Sequence, residues 1–290
     1  MADLPEPKTH VDSVLVRVRA AALNPADLAL QAGALGGAVD TYFPVIPGWD
    51  IAGVVERSGL AAAEFAPGDE VIGYIRGDVQ RAHGGMAELV SADARTLVLK
   101  PHAMSFAEAA NLPLAGLTAY QAVVHTLDVQ PGEILLVHGA AGEVGSLAVQ
   151  IARSRGARVI GAASARDHGY VRTLGAEAVT YGEGLAGRVR ELAPDGADVV
   201  LDTVGGVLTA TASAARSGAR VASIAEIGAP GVATVFCRMN HSDLTALTEL
   251  AEAGELTVRV GATYPLERAA DAQRALAARG TSGKVVIEIT

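Results

Sequence analysis

The spacing of hydrophobic positions changes near residue 105 of this chain. Before that point, short runs of alternating or β-branched apolar residues recur between prolines and glycines, which is typical of strands joined by turns. These runs cover residues 13–20, 51–56, 70–74, 86–90 and 97–99. The pattern predicts a compact all-β lobe in the first third of the chain.

After residue 105, runs with strand character alternate with longer helical ones. The spacing predicts helices over 105–112 and 116–127, then strands at 135–138, 159–163, 178–180, 198–202, 219–224 and 234–236 with helices between most of them. A helix over 242–253, a short run at 257–260, a helix over 266–278 and a strand over 284–289 complete the chain. Strands that alternate with helices predict a doubly wound parallel sheet, so the expected fold class is α/β.

A glycine-rich turn joins the strand at 135–138 to the helix that follows it. Gly139 can turn sharply after a strand, Gly142 lets the backbone approach a phosphate, and Gly145 lets the helix lie close to the sheet. The arrangement is typical of a dinucleotide site, in which N–H groups at a helix N-terminus bind the pyrophosphate; the alternative is a structural turn without a ligand. The predicted cofactor contacts here are Gly139, Ala140, Gly142, Glu143, Val144 and Gly145.

The strand at 159–163 ends without the acidic residue that an NAD-preferring site places there for the ribose hydroxyls. Ser164 and Arg166 follow it instead. A hydroxyl and a guanidinium suit a 2′-phosphate, because Arg offers a charge-assisted fork that matches phosphate oxygens. The expected cofactor is therefore NADPH; the alternative for Arg166 is a solvated cation in a loop.

Composition and charge narrow the class of protein. The 290 residues exceed a typical single domain, and 50% hydrophobic with 19% charged residues predicts a sizeable core. A net charge of −9 gives no support to nucleic-acid binding or to a membrane surface. Cys237 is the only cysteine, so a disulfide within the chain and a thiolate zinc cluster are excluded. With no leader-like start and no long apolar run, we expect a soluble cytoplasmic protein.

Several motifs in fixed order carry a family resemblance over nearly the whole chain. They lie at 24–27 (Asn-Pro-Ala-Asp), 47–53 (Pro-Gly-Trp-Asp-Ile-Ala-Gly), 68–71, 112–120, the glycine-rich turn and 283–286 (Gly-Lys-Val-Val). Together they resemble the zinc-independent quinone oxidoreductases of the medium-chain dehydrogenase/reductase superfamily. The resemblance implies a GroES-like β-barrel catalytic domain of residues 1–114 and 241–290, with a Rossmann NADPH-binding domain of residues 115–240 inserted in it.

The resemblance also implies an activity: NADPH-dependent, metal-free hydride transfer to quinones or α,β-unsaturated carbonyls. It implies a small-molecule substrate and a homodimer, for which 219–224 or 234–238 are candidate edge strands. Two alternatives remain open. One is an enoyl reductase acting on a carrier-bound or specialised-metabolite intermediate, and the other is a weakly active nucleotide-binding regulatory protein.

The expectation of no metal has support from the residues themselves. Zinc-dependent relatives hold zinc with a Cys and with the His of a Gly-His-Glu motif, whereas Asn24 and the Trp49-Asp50 pair stand at those places here. Neither an amide nor an indole is a usual zinc ligand. The seven histidines show no pair at ligand spacing.

The resemblance implies roles for further residues. Asn24, Asp27 and Thr118 would lie around the nicotinamide or the substrate; Asn24 could donate to a developing oxyanion, and Asp27 could orient loop backbone. The alternative for both is an Asx turn over 24–27. The remaining implied contacts are Tyr181 at the 2′-phosphate, Val204 at the ribose, and Ile224 and Phe236 at the nicotinamide pocket.

Two departures from the family pattern bear on these expectations. Many relatives carry a Tyr that can supply a proton where this chain has Ala29, so the proton is expected from water or another residue, with Tyr42 as a possible substitute. Relatives also begin with an additional hairpin. Without those strands, we expect an exposed sheet edge.

Overall fold

The computed structural model describes residues 2–35, 42–80 and 82–290. The chain divides into two compact units. The split unit consists of Met1–Leu114, Met239–Glu252 and Val258–Thr290, and the inserted unit consists of Ala115–Arg238 and Ala253–Thr257.

The split unit is built on a seven-stranded sheet. Its strands are β1 (Ser13–Ala22), β2 (Asp50–Ser58), β3 (Glu70–Tyr74), β4 (Leu89–Asp93), β5 (Leu97–Leu99), β12 (Val260–Pro265) and β13 (Lys284–Glu288). The order is β12-β13-β1-β2-β3-β5, with β4 paired to β1. Its helices are α1 (Pro25–Gln31), α2 (Arg76–Gln80), α3 (Phe106–Ala109), α9 (His241–Glu252) and α10 (Ala269–Ala278). The path of described strands does not close into a barrel.

Strand β1 is the centre of this sheet because it pairs with three others. Its residues Val14–Val16 pair with β2 and β4, and its last residues pair with β2 and β13. All but two of its ten residues are buried. The end of the chain is thereby fixed beside its beginning.

The inserted unit is a six-stranded parallel sheet with helices between all of its consecutive strands except β10 and β11. The strands are β6 (Ile134–His138), β7 (Arg158–Ala163), β8 (Glu177–Thr180), β9 (Ala197–Asp202), β10 (Ala215–Ser223) and β11 (Ala233–Thr234), in the order β11-β10-β9-β6-β7-β8. The helices are α4 (Pro113–Tyr120), α5 (Glu143–Ser154), α6 (His168–Thr173), α7 (Leu185–Leu192) and α8 (Leu208–Ala214). Strand order reverses between β6 and β9, as in Rossmann-type sheets, where ligands bind at that point. The expected α/β fold class is confirmed.

The expectation of an all-β lobe before residue 105 is wrong in two places, because α1 and α2 lie there. Helix α1 begins with reciprocal hydrogen bonds between Asn24 and Asp27: the Asp27 side chain accepts the N–H of Asn24, and the Asp27 N–H donates to the Asn24 carbonyl oxygen. Pro25 occupies the first helical position, where its missing N–H costs nothing. Local capping, rather than a hydrophobic stripe, produces this helix.

Two further expectations need correction. The helix expected over 116–127 is α4 followed by a π-helical turn over Gln121–Thr126. The segment 219–224 is not an edge strand, because β10 lies between β9 and β11.

No helix among the described residues is both long enough and apolar enough to cross a membrane.

We expect Gly53→Ala to destabilise the split unit. A Cβ atom at Gly53, in the middle of β2, would lie 2.3 Å from the carbonyl oxygen of Arg17 in β1. Backbone must shift to relieve that contact, so the free energy of unfolding should fall by about 1–3 kcal/mol in urea titrations. The control is Gly77→Ala in α2, where a Cβ meets nothing within 4 Å. Equal stability of the two variants would contradict the close approach of β1 and β2.

Candidate functional site

The glycine-rich turn of the inserted unit has no room for side chains at two of its glycines. Gly139 has a φ of +72°, and a Cβ there would lie 2.5 Å from Val204 Cγ1. A Cβ on Gly145 would lie 2.2 Å from the Gly139 carbonyl oxygen, so α5 begins in direct contact with the end of β6. Gly142 is the N-cap of α5 and provides no capping side chain.

This turn fits a dinucleotide pyrophosphate. The first N–H groups of an α-helix have no intrahelical acceptor, and a glycine N-cap leaves them accessible to an anion. Ala140 is buried, while Glu143 and Val144 are partly exposed in the first turn of α5. The turn is thus a backbone cradle that a Cβ would fill, and it lies where the order of the parallel strands reverses.

A second group of predicted residues lies at the adjacent ends of β7 and β8. These strands are parallel and in register, with Ala163 opposite Thr180, so Ser164 and Tyr181 follow them side by side. Tyr181 donates its N–H to Ala163 O (3.3 Å), and its side chain is 60% exposed. The Arg166 side chain is 73% exposed. The three side chains predicted for the 2′-phosphate therefore share one edge of the sheet.

Asp202, the last residue of β9, organises the turn that follows it. Its carboxylate is fully buried and accepts the N–H groups of Val204 and Gly205, both at 2.9 Å. Its other oxygen accepts from Ser223 Oγ at 2.7 Å. Ser223 Oγ in turn accepts the N–H groups of Ala225 and Glu226, so one carboxylate orders the turns after β9 and β10. Nothing in the sequence pattern singled out Asp202 for this role; its place at a buried strand end was the available signal.

The residues predicted for the ribose (Val204) and for the nicotinamide pocket (Ile224 and Phe236) follow strands β9, β10 and β11. Val204 is 55% exposed, Ile224 is partly exposed, and Phe236 is 67% exposed. Thr118, in α4, is 7% exposed. Val204 lies against the glycine-rich turn at Gly139, where an exposed apolar side chain is consistent with contact to a cofactor.

In the split unit, the predicted residues Asn24 and Asp27 lie in a buried polar cluster together with Asp50 and Lys284. Each is at most 3% exposed. Asp27 accepts the N–H of Asn24 at 2.8 Å and the N–H of Gly48 at 2.9 Å. Its carboxyl group therefore orients loop backbone at the entry to α1.

Asn24 is held from three sides. Its Oδ1 accepts from Lys284 Nζ at 2.5 Å, and its Nδ2 donates to Asp50 Oδ2 at 2.8 Å and to Ala22 O at 3.3 Å. The second oxygen of Asp50 accepts from the Leu114 N–H at 2.9 Å. Lys284 belongs to a motif that we recognised, but its partnership with Asn24 spans 260 positions and has no local signal.

Burial governs the protonation of this cluster. It raises the pKa of Asp27 to about 6 and that of Asp50 to about 7, against the opposing effect of Lys284 and of the hydrogen bonds to both carboxyls. When both carboxyl groups are ionised, the single Lys284 ammonium balances the charge of only one of them, and burial keeps bulk water from solvating the other. A proton is therefore held in this cluster over the weakly acidic range.

The cluster does not fit a zinc ion. Lys284 Nζ approaches the one Asn24 atom that could ligate a metal, and the Asn24 amide nitrogen is a donor to Asp50. Trp49, 6% exposed, offers only an indole N–H and packs against the Tyr74 ring at 6.2 Å. In the described ranges, no group of three or more His, Cys, Asp or Glu side chains could hold a metal.

Two family models match the chain. A model described as an alcohol dehydrogenase GroES-like domain matches residues 10–102, and one described as a zinc-binding dehydrogenase matches residues 174–287. The first lies in the split unit, and the second begins in the inserted unit and ends in β13.

Named relatives cover nearly all of this chain. The NADPH-dependent alkenal/one oxidoreductase of Arabidopsis thaliana is 35% identical over 289 residues, which is 97% of this chain and 73% of that protein. The human quinone oxidoreductase is 28% identical over 310 residues, covering 98% and 91%. Among solved structures, the CurK enoyl reductase matches with a TM-score of 0.87 and 27% identity, covering 100% of this chain and 94% of that one.

The raised carboxyl pKa values predict a loss of stability on going from acid to neutral pH. Asp27 and Asp50 keep their protons in the folded chain at a pH where the unfolded chain, with an ordinary pKa of 3.8, has lost them. Their contribution is full below that pKa and disappears as the pH rises to about 7. Between pH 5 and pH 8 the unfolding free energy of the wild type should fall, and in Asp50→Asn this fall should be smaller by about 1 kcal/mol or more.

Urea unfolding at the two pH values measures this change. The matched control is Asp271→Asn, because Arg268 and Arg274 lower the pKa of Asp271 and it does not titrate in this range. An Asp50→Asn variant with the same pH dependence as the wild type would mean that burial does not raise the pKa of this carboxyl.

Proposed function

Since the chain belongs to the quinone oxidoreductase family of the medium-chain dehydrogenase/reductase superfamily, we propose that it reduces quinones or α,β-unsaturated carbonyl compounds with NADPH. The observation that carries the proposal is the cradle of Gly139, Gly142 and Gly145, in which two glycines leave no space for a Cβ. A small-molecule acceptor is expected, as for the named relatives.

NADPH, when bound, supplies a hydride to the carbon conjugated with the acceptor carbonyl. The chain's own residues bind and orient it. The N–H groups at the start of α5 would hold the pyrophosphate, and Ser164, Arg166 and Tyr181 would hold the 2′-phosphate. Asp202 keeps the turn containing Val204 in place through two backbone hydrogen bonds.

We propose that Asn24 and Thr118 serve the reacting groups, with Asp27 as a positioning residue. Both Asn24 amide hydrogens are already used, one in a 2.8 Å bond to Asp50 and one in a 3.3 Å bond to Ala22 O. Donation to a developing oxyanion therefore requires that Asn24 break one of these two bonds. The longer bond, to Ala22 O, is the weaker one and would break first. Lys284 keeps the amide oriented for that exchange.

The proton that completes the reduction does not come from the position of Ala29 in α1, whose side chain carries no acidic proton, and Tyr42 is 67% exposed. We infer that water protonates the enolate. A metal-free reaction is part of the proposal and is supported by the Lys284–Asn24 bond described above.

A second candidate function is reduction of enoyl groups on a carrier-bound or specialised-metabolite intermediate. The similarity to the CurK enoyl reductase supports it, because that match covers 100% of this chain and 94% of the reductase. The two functions share the cofactor site and differ only in the acceptor.

We also infer a homodimer and a cytoplasmic location. Strand β11 is an end strand of the sheet, and Ile227 before it is 74% exposed, which supports pairing with a second copy. A single cysteine supports a reducing compartment.

The proposal predicts that the purified chain oxidises NADPH when a quinone or an enone is added. Loss of the reduced nicotinamide absorbance measures the rate, and an acyl-thioester enone in the same panel tests the second candidate. Dialysis against a chelator should leave the rate unchanged, because Asn24 and Trp49 cannot hold zinc.

Tight NADPH binding without oxidation by any acceptor would reject the enzyme in favour of a regulatory nucleotide-binding protein. A rate that is lost on chelation and restored by zinc would reject the metal-free reaction.

Arg166→Ala should weaken NADPH binding about tenfold while leaving NADH nearly unchanged, since a charge-assisted bond to the 2′-phosphate is lost. Calorimetric titration with each cofactor measures both dissociation constants. The control is Arg172→Ala, which removes an arginine from the last turn of α6. Equal weakening of NADPH and NADH by Arg166→Ala would remove Arg166 from the 2′-phosphate site.

A further inference from the structure

A carboxylate lies at the proposed 2′-phosphate edge although the strand itself ends without one. Asp167 follows β7 by four residues, and its side chain is only 15% exposed. A short helical turn over Ala165–Asp167 folds it back, with the Asp167 N–H donating to Ser164 O at 2.9 Å. NAD-preferring sites carry an acid near this strand end for the ribose hydroxyls, and Asp167 lies in the turn that follows β7.

One oxygen of Asp167 accepts from both side chains that are proposed for the phosphate. Ser164 Oγ donates to Asp167 Oδ2 at 2.5 Å, and Arg166 Nε donates to the same atom at 3.3 Å. A serine hydroxyl has a single hydrogen, so Ser164 cannot donate to a phosphate while it binds Asp167. Phosphate and carboxylate therefore compete for the same donors.

Charge acts in the same direction. A 2′-phosphate carries a negative charge and is repelled by a neighbouring carboxylate. The bond from Arg166 to Asp167 is long, at 3.3 Å, and made by a mostly exposed side chain, so it gives little orientation that would offset the repulsion. A ribose without the phosphate offers hydroxyl donors, which a carboxylate accepts.

We propose that Asp167 is a specificity-determining residue that opposes the 2′-phosphate and accepts a ribose hydroxyl, so that the chain uses NADH as well as NADPH. The proposal rests on the dinucleotide function proposed above. Asp167 would thus reduce the discrimination between NADPH and NADH, while Ser164 and Arg166 would still favour the 2′-phosphate.

The test is Asp167→Asn in the full chain, with direct binding of NADPH and NADH measured by calorimetry. The ratio of the NADH to the NADPH dissociation constant should rise about tenfold, because NADPH binds more tightly and NADH more weakly. The matched control is Glu183→Gln, which removes the same charge from an exposed residue two positions after Tyr181 and should change the ratio less than about twofold. If the Asn variant does not fold, Asp167→Ser serves in its place.

An unchanged or lower ratio in Asp167→Asn overturns the proposal, since a lower ratio would mean that Asp167 orients Arg166 toward the phosphate. An equal rise in Glu183→Gln overturns it as well, because the effect would then be general charge. Failure of the underlying function has a different result: a wild-type chain that binds neither cofactor rejects both proposals. If Arg166→Ala weakens NADPH and Asp167→Asn has no effect, only the role of Asp167 is rejected.

Discussion

The buried Lys284 ammonium is the interaction on which the split unit depends. It lies on the last strand and donates to Asn24, which in turn donates to Asp50 on β2. An isolated buried charge costs several kcal/mol, and removing one partner of a buried pair leaves the other uncompensated. The last strand, the entry to α1 and the start of β2 must therefore be placed together, and the predicted reaction residues Asn24 and Asp27 are fixed by the same requirement.

Both units use a buried carboxylate to hold irregular backbone. Asp27 accepts the N–H of Gly48 in the split unit, and Asp202 accepts those of Val204 and Gly205 in the inserted unit. The N–H groups of a turn have no partner in a helix or a sheet, and one carboxylate can accept several of them at once. The segments proposed to meet cofactor and substrate are loops, and these bonds give them the order that such contacts require.

The sequence predicts the inserted unit better than the split unit, for a physical reason. Strand β7 and the turn from Gly139 depend on local hydrophobic runs and glycine spacing, which are visible over a dozen residues. Strand β12 pairs through its backbone while its residues alternate between partly buried and exposed, so no hydrophobic pattern marks it. The bonds from Lys284 to Asn24 and from Ser164 to Asp167 depend on tertiary placement or on a turn conformation, and neither follows from residue spacing alone.

The position of Lys284 on β13, which follows every strand of the inserted unit, has a consequence for the order of folding. All six strands of the inserted unit lie between residues 134 and 234, so its sheet can form during synthesis from chain already released by the ribosome. Strand β1 is synthesised before this sheet, whereas its neighbour β13 is synthesised after it. Before β13 is available, Asn24 and Asp50 lack the Lys284 ammonium, and the split unit remains an incomplete sheet that a chaperone can recognise.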